Sequence, residues 1–284
     1  MTNLGKTIRI LRKSKNMTLA QLADGIISLP FLSKYERNSS DISASSFLSL
    51  LERLNVNLRE FEELNSSGKE YSQKNFFKNY REALISDDLF LLNKLLNQEK
   101  ECLELDGNYR HKHNIVLINQ YINKISGLAF DNNQVKLITN YLLQVEDWGY
   151  YELSLFGNSL FSLPIDSIDF LCKVAFKKAS FFSDIFYLKN DLALIACNVI
   201  IVMIEQDELH RLDSLFLLAD RNLENTRFYY EKNKVNYLKG LYEIKKGNIE
   251  VGKQHCMKAI ETMYSLGDNI NAKAHQEELK KYLN

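Results

Sequence analysis

Seven basic side chains, Lys6, Arg9, Arg12, Lys13, Lys15, Lys34 and Arg37, crowd the first 40 residues against only Asp24 and Glu36. Seven minus two leaves this end at +5, and because the 284-residue chain is formally neutral, the remainder carries −5. Positive charge confined to one end suits a polyanion such as nucleic acid, whose phosphates Lys and Arg neutralise. The same charges would serve equally as the solvated face of a helix. A second set recurs further on: Asn79, Asn119, Asn158, Asn198 and Asn236 stand 40, 39, 40 and 38 residues apart. An amide side chain both donates and accepts, which matches the groups of an extended peptide backbone. The chain is rich in Asn, and ordinary hydrogen bonding between helices is the stronger account of the five. Arg81, close to Asn79 in "FKNYREAL", has the fork for a peptide carboxylate or an acidic side chain, with an internal salt bridge as the commoner use.

Enzyme chemistry finds little support. His111 and His113 in "RHKHN" invite a metal reading, but two residues apart on a helix they point to different faces, and no carboxylate stands at a matching spacing. Cys102, Cys172, Cys197 and Cys256 show no paired short spacing, which argues against a zinc site or a disulfide framework and suits a reducing compartment. No Gly-rich phosphate loop, nucleophile elbow or paired-carboxylate motif is present. The expectation is a protein that is not an enzyme and holds neither metal nor cofactor. The aromatic runs Phe181, Phe182, Phe186, Tyr187 and Phe228, Tyr229, Tyr230 offer lining for an apolar groove, although core packing is the more usual role of such residues.

The elements that must position these residues are helices. Two prolines and eleven glycines punctuate a chain that is 45% hydrophobic, and Leu, Ile, Phe and Tyr recur at three- and four-residue spacing. Basic residues interrupt every apolar run near the N-terminus, so a signal peptide is not expected there. The longest apolar stretch, Leu192 to Ile204, is broken by Asn198 and too short to span a bilayer. A cytoplasmic protein with no membrane partner is the expectation.

In the basic region, "LGKTIRILRKSK" places Leu4, Ile8 and Leu11 on one stripe. "TLAQLADGI" reads as a short amphipathic helix capped by Thr18, with Gly25 where it must end and turn. "SLPFLSKYERNSS" then starts a third helix: Ser28 is the N-cap candidate, and Pro30 is tolerated in a first turn whose N–H groups have no intrahelical partner. Leu32 and Tyr35 turn inward, leaving Leu29, Ser33, Lys34 and Arg37 on or near the outer face. Two short helices joined by a tight turn, the second presenting small polar and basic residues, are what a major groove admits. Two more helices, Ser43 to Leu54 and Asn57 to Leu64, complete a five-helix unit; their apolar positions include Phe47, Leu48, Leu50, Leu51 and Leu54 in the first, and Leu58, Phe61 and Leu64 in the second.

The run "TLAQLADGIISLPFLSKYERNSSDIS", followed by "LLERLNVNLREFEEL", resembles the helix-turn-helix head of the Xre or lambda-repressor-like family. That resemblance implies that Ser28, Leu29, Ser33 and Lys34 face the groove of promoter DNA, with Arg37 beside them, and that Asn38 and Ser40 lie near phosphates. It also pairs Arg12 with Glu36, tying the first helix to the third. Two departures stand out: Asn38 takes the place usually held by Gly after the third helix, and Leu29 and Pro30 stand where many relatives carry polar base-reading side chains. A recognition helix of this kind needs a second half-site, so a homodimer is expected.

Residues 66–70, inside "NSSGKE", form the linker candidate between a head of residues 1–65 and a body of residues 71–284. Roughly eleven helical segments follow, broken at "SDD", "LDGN", "FDNN", "LPID", "GN" and "GDN". Their lengths predict an all-α fold, a five-helix lambda-repressor-like domain followed by a right-handed α-solenoid of tetratricopeptide-like helix pairs. The clearest pair is "VNYLKGLYEIKKGNIEVGKQHCMKAIETMYSLGD", where small Gly240 and Ala259 permit close helix approach. The stretch "WGYYELSLFGNSLFSLP" resembles the C-terminal region of the Rgg/GadR/MutR regulators, and the order of head, linker and body matches as well. This resemblance implies a dimeric transcription regulator whose concave repeat surface receives a short hydrophobic signalling peptide. The competing reading is a repeat-type interaction adaptor or antitoxin whose head binds DNA weakly; steeply salt-dependent, sequence-selective DNA binding separates the two.

Overall fold

In the computed structural model, the described residues are 4–65, 73–179, 186–224 and 228–283, and among them every regular element is a helix. The chain divides into two compact units, residues 1–85 and 86–284. The expected linker, 66–70, lies outside the described residues.

The first unit holds α1 (Leu4–Ser14), α2 (Leu19–Ala23), α3 (Leu29–Glu36), α4 (Ala44–Arg53), α5 (Leu58–Asn65) and α6 (Gln73–Ile85). Local chemistry sets their ends. The Thr18 hydroxyl accepts the Gln21 N–H at 3.1 Å and the Gln21 side chain accepts the Thr18 N–H at 2.8 Å, a capping box that starts α2. Asn57 and Glu60 exchange the same pair of bonds at the start of α5, at 2.8 and 2.9 Å. Ser43 caps α4 through the Ser46 N–H at 3.1 Å. From α4, Arg53 reaches back to the Asp24 carbonyl and so closes the C-terminal end of α2.

Ile8, Leu22, Leu32, Leu50, Leu54 and Phe61 form the centre of this unit's core, each at most 2% exposed. Leu48, Leu58 and Leu64, apolar positions of the fourth and fifth helices, lie instead on the outside. Five short helices enclose one small core, and these side chains fall on the faces turned away from it.

Tight packing of α1 on the end of α3 rests on Gly5. A Cβ at that position would overlap the Tyr35 carbonyl, and the Gly5 N–H donates to Asn38 Oδ1 at 3.0 Å. Asn38 itself has φ 56°, the left-handed backbone that ends α3 and that Asn tolerates better than most residues.

The second unit contains α7 (Leu89–Asp106), α8 (Tyr109–Ile125), α9 (Asn132–Gln144), α10 (Tyr150–Ser159), α11 (Ile165–Lys178), α12 (Phe186–Glu205), α13 (Leu212–Asn222), α14 (Tyr229–Lys245), α15 (Ile249–Ser265) and α16 (Asn269–Leu283), with 3-10 turns at Leu160–Ser162 and Leu209–Arg211. The expected string of eleven helical segments is therefore present as α6 to α16. Asp88, Asn108 and Asp131 cap the helices that follow them, each through its side-chain oxygen. No described helix is long and apolar enough to cross a membrane.

Sequential helices pack as hairpins, as in α7 with α8, α12 with α13 and α14 with α15. Beyond that, α8 packs on α10, α10 on α12, α12 on α14 and α14 on α16. The even-numbered helices therefore make one continuous layer, the arrangement expected of stacked helix pairs. The α14/α15 hairpin is closest of all. A Cβ on Gly240 would stand 2.7 Å from the Gly252 carbonyl oxygen, and one on Gly252 would meet the Ile244 backbone nitrogen at 2.7 Å. Gly240 was expected to allow close approach; Gly252 is its partner, and Ala259 is buried farther along the same helix.

Candidate functional site

The outer face of α3 is built from its helical geometry. At 100° per residue, Leu29, Ser33 and Arg37 share one strip and Pro30 and Lys34 an adjacent one, opposite Leu32, Tyr35 and Glu36. Leu32, Tyr35 and Glu36 are buried, while Ser28, Leu29, Pro30, Lys34 and Arg37 are exposed and Ser33 is half-buried. The Ser28 hydroxyl makes no capping bond, which leaves it directed outward at the head of the helix. Arg37 folds back so that its Nε donates to the Ser33 carbonyl at 3.1 Å. Asn38 and Ser40 are half-buried, the former with its side-chain oxygen engaged by Gly5 and the latter with a buried hydroxyl that has no partner.

One ion pair holds this face in place. Arg12 Nε and Nη2 donate to the two carboxylate oxygens of Glu36 at 2.6 and 2.8 Å, and Nη1 donates to the Met17 carbonyl at 2.8 Å. Both partners are buried, at 8% and 3% exposure. The hydrogen bonds to Glu36 raise the Arg12 pKa above its ordinary value against the opposing effect of burial. A forked, fully paired geometry of this kind ties α1, the turn after it and α3 into one body. Losing one partner of such a buried pair costs about 3–5 kcal/mol.

The second unit brings four of the five recurrent asparagines onto the even layer: Asn119 on α8, Asn158 on α10, Asn198 on α12 and Asn236 on α14. Two of them have their donors engaged. Asn119 Nδ2 donates to Gln134 Oε1 at 3.2 Å, and Asn158 Nδ2 donates to the Ser154 carbonyl of its own helix at 2.7 Å. Asn198 and Asn236 are exposed, with Lys234 Nζ 3.5 Å from Asn198 Oδ1. Asn79 is half-buried and Arg81 exposed, both on α6 of the first unit.

Of the aromatic runs, Phe228 is a core residue whereas Tyr229 and Tyr230 are 69% and 46% exposed. Phe181 and Phe182 lie outside the described residues, and Phe186 and Tyr187 begin α12.

His111 and His113 take separate partners. His111 Nδ1 lies 2.6 Å from Glu99 Oε2, which also accepts from Asn114 Nδ2 at 2.8 Å, so a buried carboxylate joins α7 to α8. Glu99 carries no mark in the sequence; it is an acid within a helix, distinguished only by what the neighbouring helix presents to it. His113 is fully buried, its Nδ1 2.8 Å from the Tyr151 hydroxyl and its ring against Tyr109 and Tyr141. Burial pushes its pKa down to about 4, so the imidazole is neutral at physiological pH.

Comparison with known proteins now places this arrangement. Residues 8–61 match the helix-turn-helix family, which covers α1 to α3 and the helices packed behind them. Residues 91–277 match the C-terminal domain of the helix-turn-helix transcriptional regulator Rgg. The chain is similar to the SHP pheromone receptor Rgg2 of Streptococcus dysgalactiae, with 25% identity over 98% of this chain and 99% of that one and a TM-score of 0.77. A protein from Listeria monocytogenes EGD-e shares the fold at 19% identity, covering 99% of this chain and 97% of that one, with a TM-score of 0.85. A bacterial peptide pheromone/receptor complex shares it at 16% identity over 99% of both chains, with a TM-score of 0.72. Because the Rgg match takes in nearly all of the helical layer and the helix-turn-helix match takes in the clamped head, the chain belongs to the Rgg family of transcriptional regulators.

Proposed function

We propose that this Rgg-type regulator binds promoter DNA as a homodimer through the outer face of α3, and that a short hydrophobic peptide bound along its repeat layer controls that binding. In this reading residues 1–65 are the DNA-binding head, 66–70 the connection and 71–284 the peptide-binding and dimerisation domain. It acts in the cytoplasm, where the DNA is, and carries out no catalysis. Ser28, Leu29, Ser33 and Lys34 meet the groove; Arg37, Asn38 and Ser40 lie toward the backbone. The observation that carries the reading is the outward face of α3, free of core contacts and fixed from behind by the Arg12–Glu36 pair.

The peptide reading draws support from the receptors the chain is similar to and from the exposed amides of Asn198 and Asn236 on neighbouring even helices. An effector changes DNA binding only by the difference in its affinity for the two states of the regulator.

Two linked measurements test this. Full-length protein is used to select duplexes from a randomised pool, and binding to an enriched site is followed between 50 and 200 mM salt. A drop on the order of 10³-fold is expected for a dimer neutralising several phosphates. No enrichment, with salt-insensitive binding, would instead favour an interaction adaptor. Chromatin immunoprecipitation with sequencing in the native host, with and without conditioned medium, then tests gating. Occupancy indifferent to the medium contradicts peptide control.

A further inference from the structure

The first turn of α3 has a chemistry that narrows what it can read. Residues at the N-terminal end of a groove-lying helix reach the base edges, and here those residues are Leu29 and Pro30. Leu29 is 47% exposed, on a head that carries net positive charge, and Pro30 beside it is exposed as well. Neither side chain has a hydrogen-bond donor or acceptor, and Pro30 lacks even a backbone N–H. They are blind to the donor and acceptor pattern of the bases. The major groove offers an apolar side chain one partner, the C5-methyl group of thymine.

The polar groups of the same face are placed to hold the duplex around that contact. One turn along from Leu29 and Pro30 stand Ser33 and Lys34, and Arg37 follows at the C-terminal end. Ser28 presents a hydroxyl without a capping bond just ahead of Leu29. The surface thus passes from apolar to cationic along the helix. The apolar end meets base edges, and the cationic end meets phosphates or a guanine edge.

We infer that this regulator recognises its operator chiefly through thymine methyl groups, with Leu29 as the specificity-determining residue and Pro30 completing the apolar contact. The inference rests on the DNA-binding reading of α3 and specifies what that surface reads. Burying a methyl group is worth about a fourfold change in affinity.

The test uses the full-length protein and a site enriched from a randomised duplex pool. Each thymine of the site is replaced in turn by deoxyuridine, which removes the methyl group and leaves the pairing edge intact. Expected is a cluster of positions in each half-site where the replacement weakens binding about fourfold per methyl, and loss of that sensitivity in Leu29→Ala. The exposed position of Leu29 leaves the core untouched, and Leu29→Met, which restores an apolar tip, should regain the sensitivity. Thermal melting of both variants should match that of the parent protein.

Failure of any site to emerge removes the DNA-binding reading and the methyl contact with it. If a site emerges without a recurrent thymine, or binds equally with deoxyuridine throughout, DNA binding stands and methyl recognition by this helix is overturned. Deoxyuridine sensitivity that persists in Leu29→Ala overturns the assignment to Leu29.

Discussion

The head and the repeat unit carry their candidate sites in opposite ways. In the head, one face of an eight-residue helix gathers every groove-facing candidate, and a single buried ion pair fixes its position. In the repeat unit, the candidates come one per helix, each from a different even-numbered element. Local sequence is enough to find the first kind of site, because caps, turn residues and faces lie within a dozen positions of one another. The second kind is visible only as a long period, and the period reports the layer without reporting which side chains are free. Two of the four asparagines on that layer have their amide donors turned to the protein itself.

The contrast predicts that the head should be vulnerable at single points and the repeat unit at its hairpins. Glu36→Ala leaves the Arg12 guanidinium buried without its partner and should destabilise the head by about 3–5 kcal/mol; chemical denaturation followed through the head's own signal checks it. Unchanged stability would remove the ion pair from its clamping role. Gly252→Ala forces a Cβ against the Gly240 carbonyl, where backbone and not a movable side-chain tip must yield. A loss of about 3 kcal/mol is expected in the repeat unit, with DNA binding by the head retained at low temperature.

His113 supplies a pH signature belonging to the repeat unit alone. Its folded pKa of about 4 lies below the unfolded value of about 6.5, so the unfolded chain takes up the proton first. Stability is fully present above that unfolded value and falls as the pH drops through the window between the two. At pH 5 the loss is about 2 kcal/mol relative to pH 7. His113→Gln should flatten this contribution in paired melts at pH 7 and 5; an equal slope in both proteins would assign the acid sensitivity elsewhere.

Smaller effects sharpen the comparison. Lys34→Ala should weaken operator binding and reduce the slope of log affinity against log salt by about 1, the signature of one phosphate contact. Asn198→Ala should weaken binding of an active peptide fraction by a few-fold, on the order of one hydrogen bond, while Asn158→Ala should leave it unchanged. Equal behaviour of the two would dissociate the forty-residue spacing from ligand contact.

What the sequence discloses follows the same division. The capping box at Thr18, the turn at Gly25, the left-handed Asn38 and the inward and outward sides of α3 are all local, and each is present in the fold. The breaks between helices are legible for the same reason: Asp88, Asn108 and Asp131 are cap residues at the starts of α7, α8 and α9. Contacts made at a distance are not. Gly5 is required only because the end of α3 lies against it, and Glu99 matters because His111 and Asn114 arrive from the next helix. Lys178 donates to the Leu143 carbonyl at 2.8 Å, closing the end of α9 from α11. Its position at the end of its own helix gives no sign of that. Leu48, Leu58 and Leu64 show the converse limit, since apolar type alone cannot tell a core position from an exposed one when the core is small.

The central claim is that the outer face of α3 lies against duplex DNA. A photo-crosslinking amino acid placed at Ser33 on that face, and separately at exposed Glu62 on α5, tests it in the full-length protein bound to its selected operator. The account predicts efficient crosslinking to DNA from position 33, suppressed by high salt, and little from position 62. Crosslinking from 62 but not from 33, with operator affinity intact in both proteins, would contradict it.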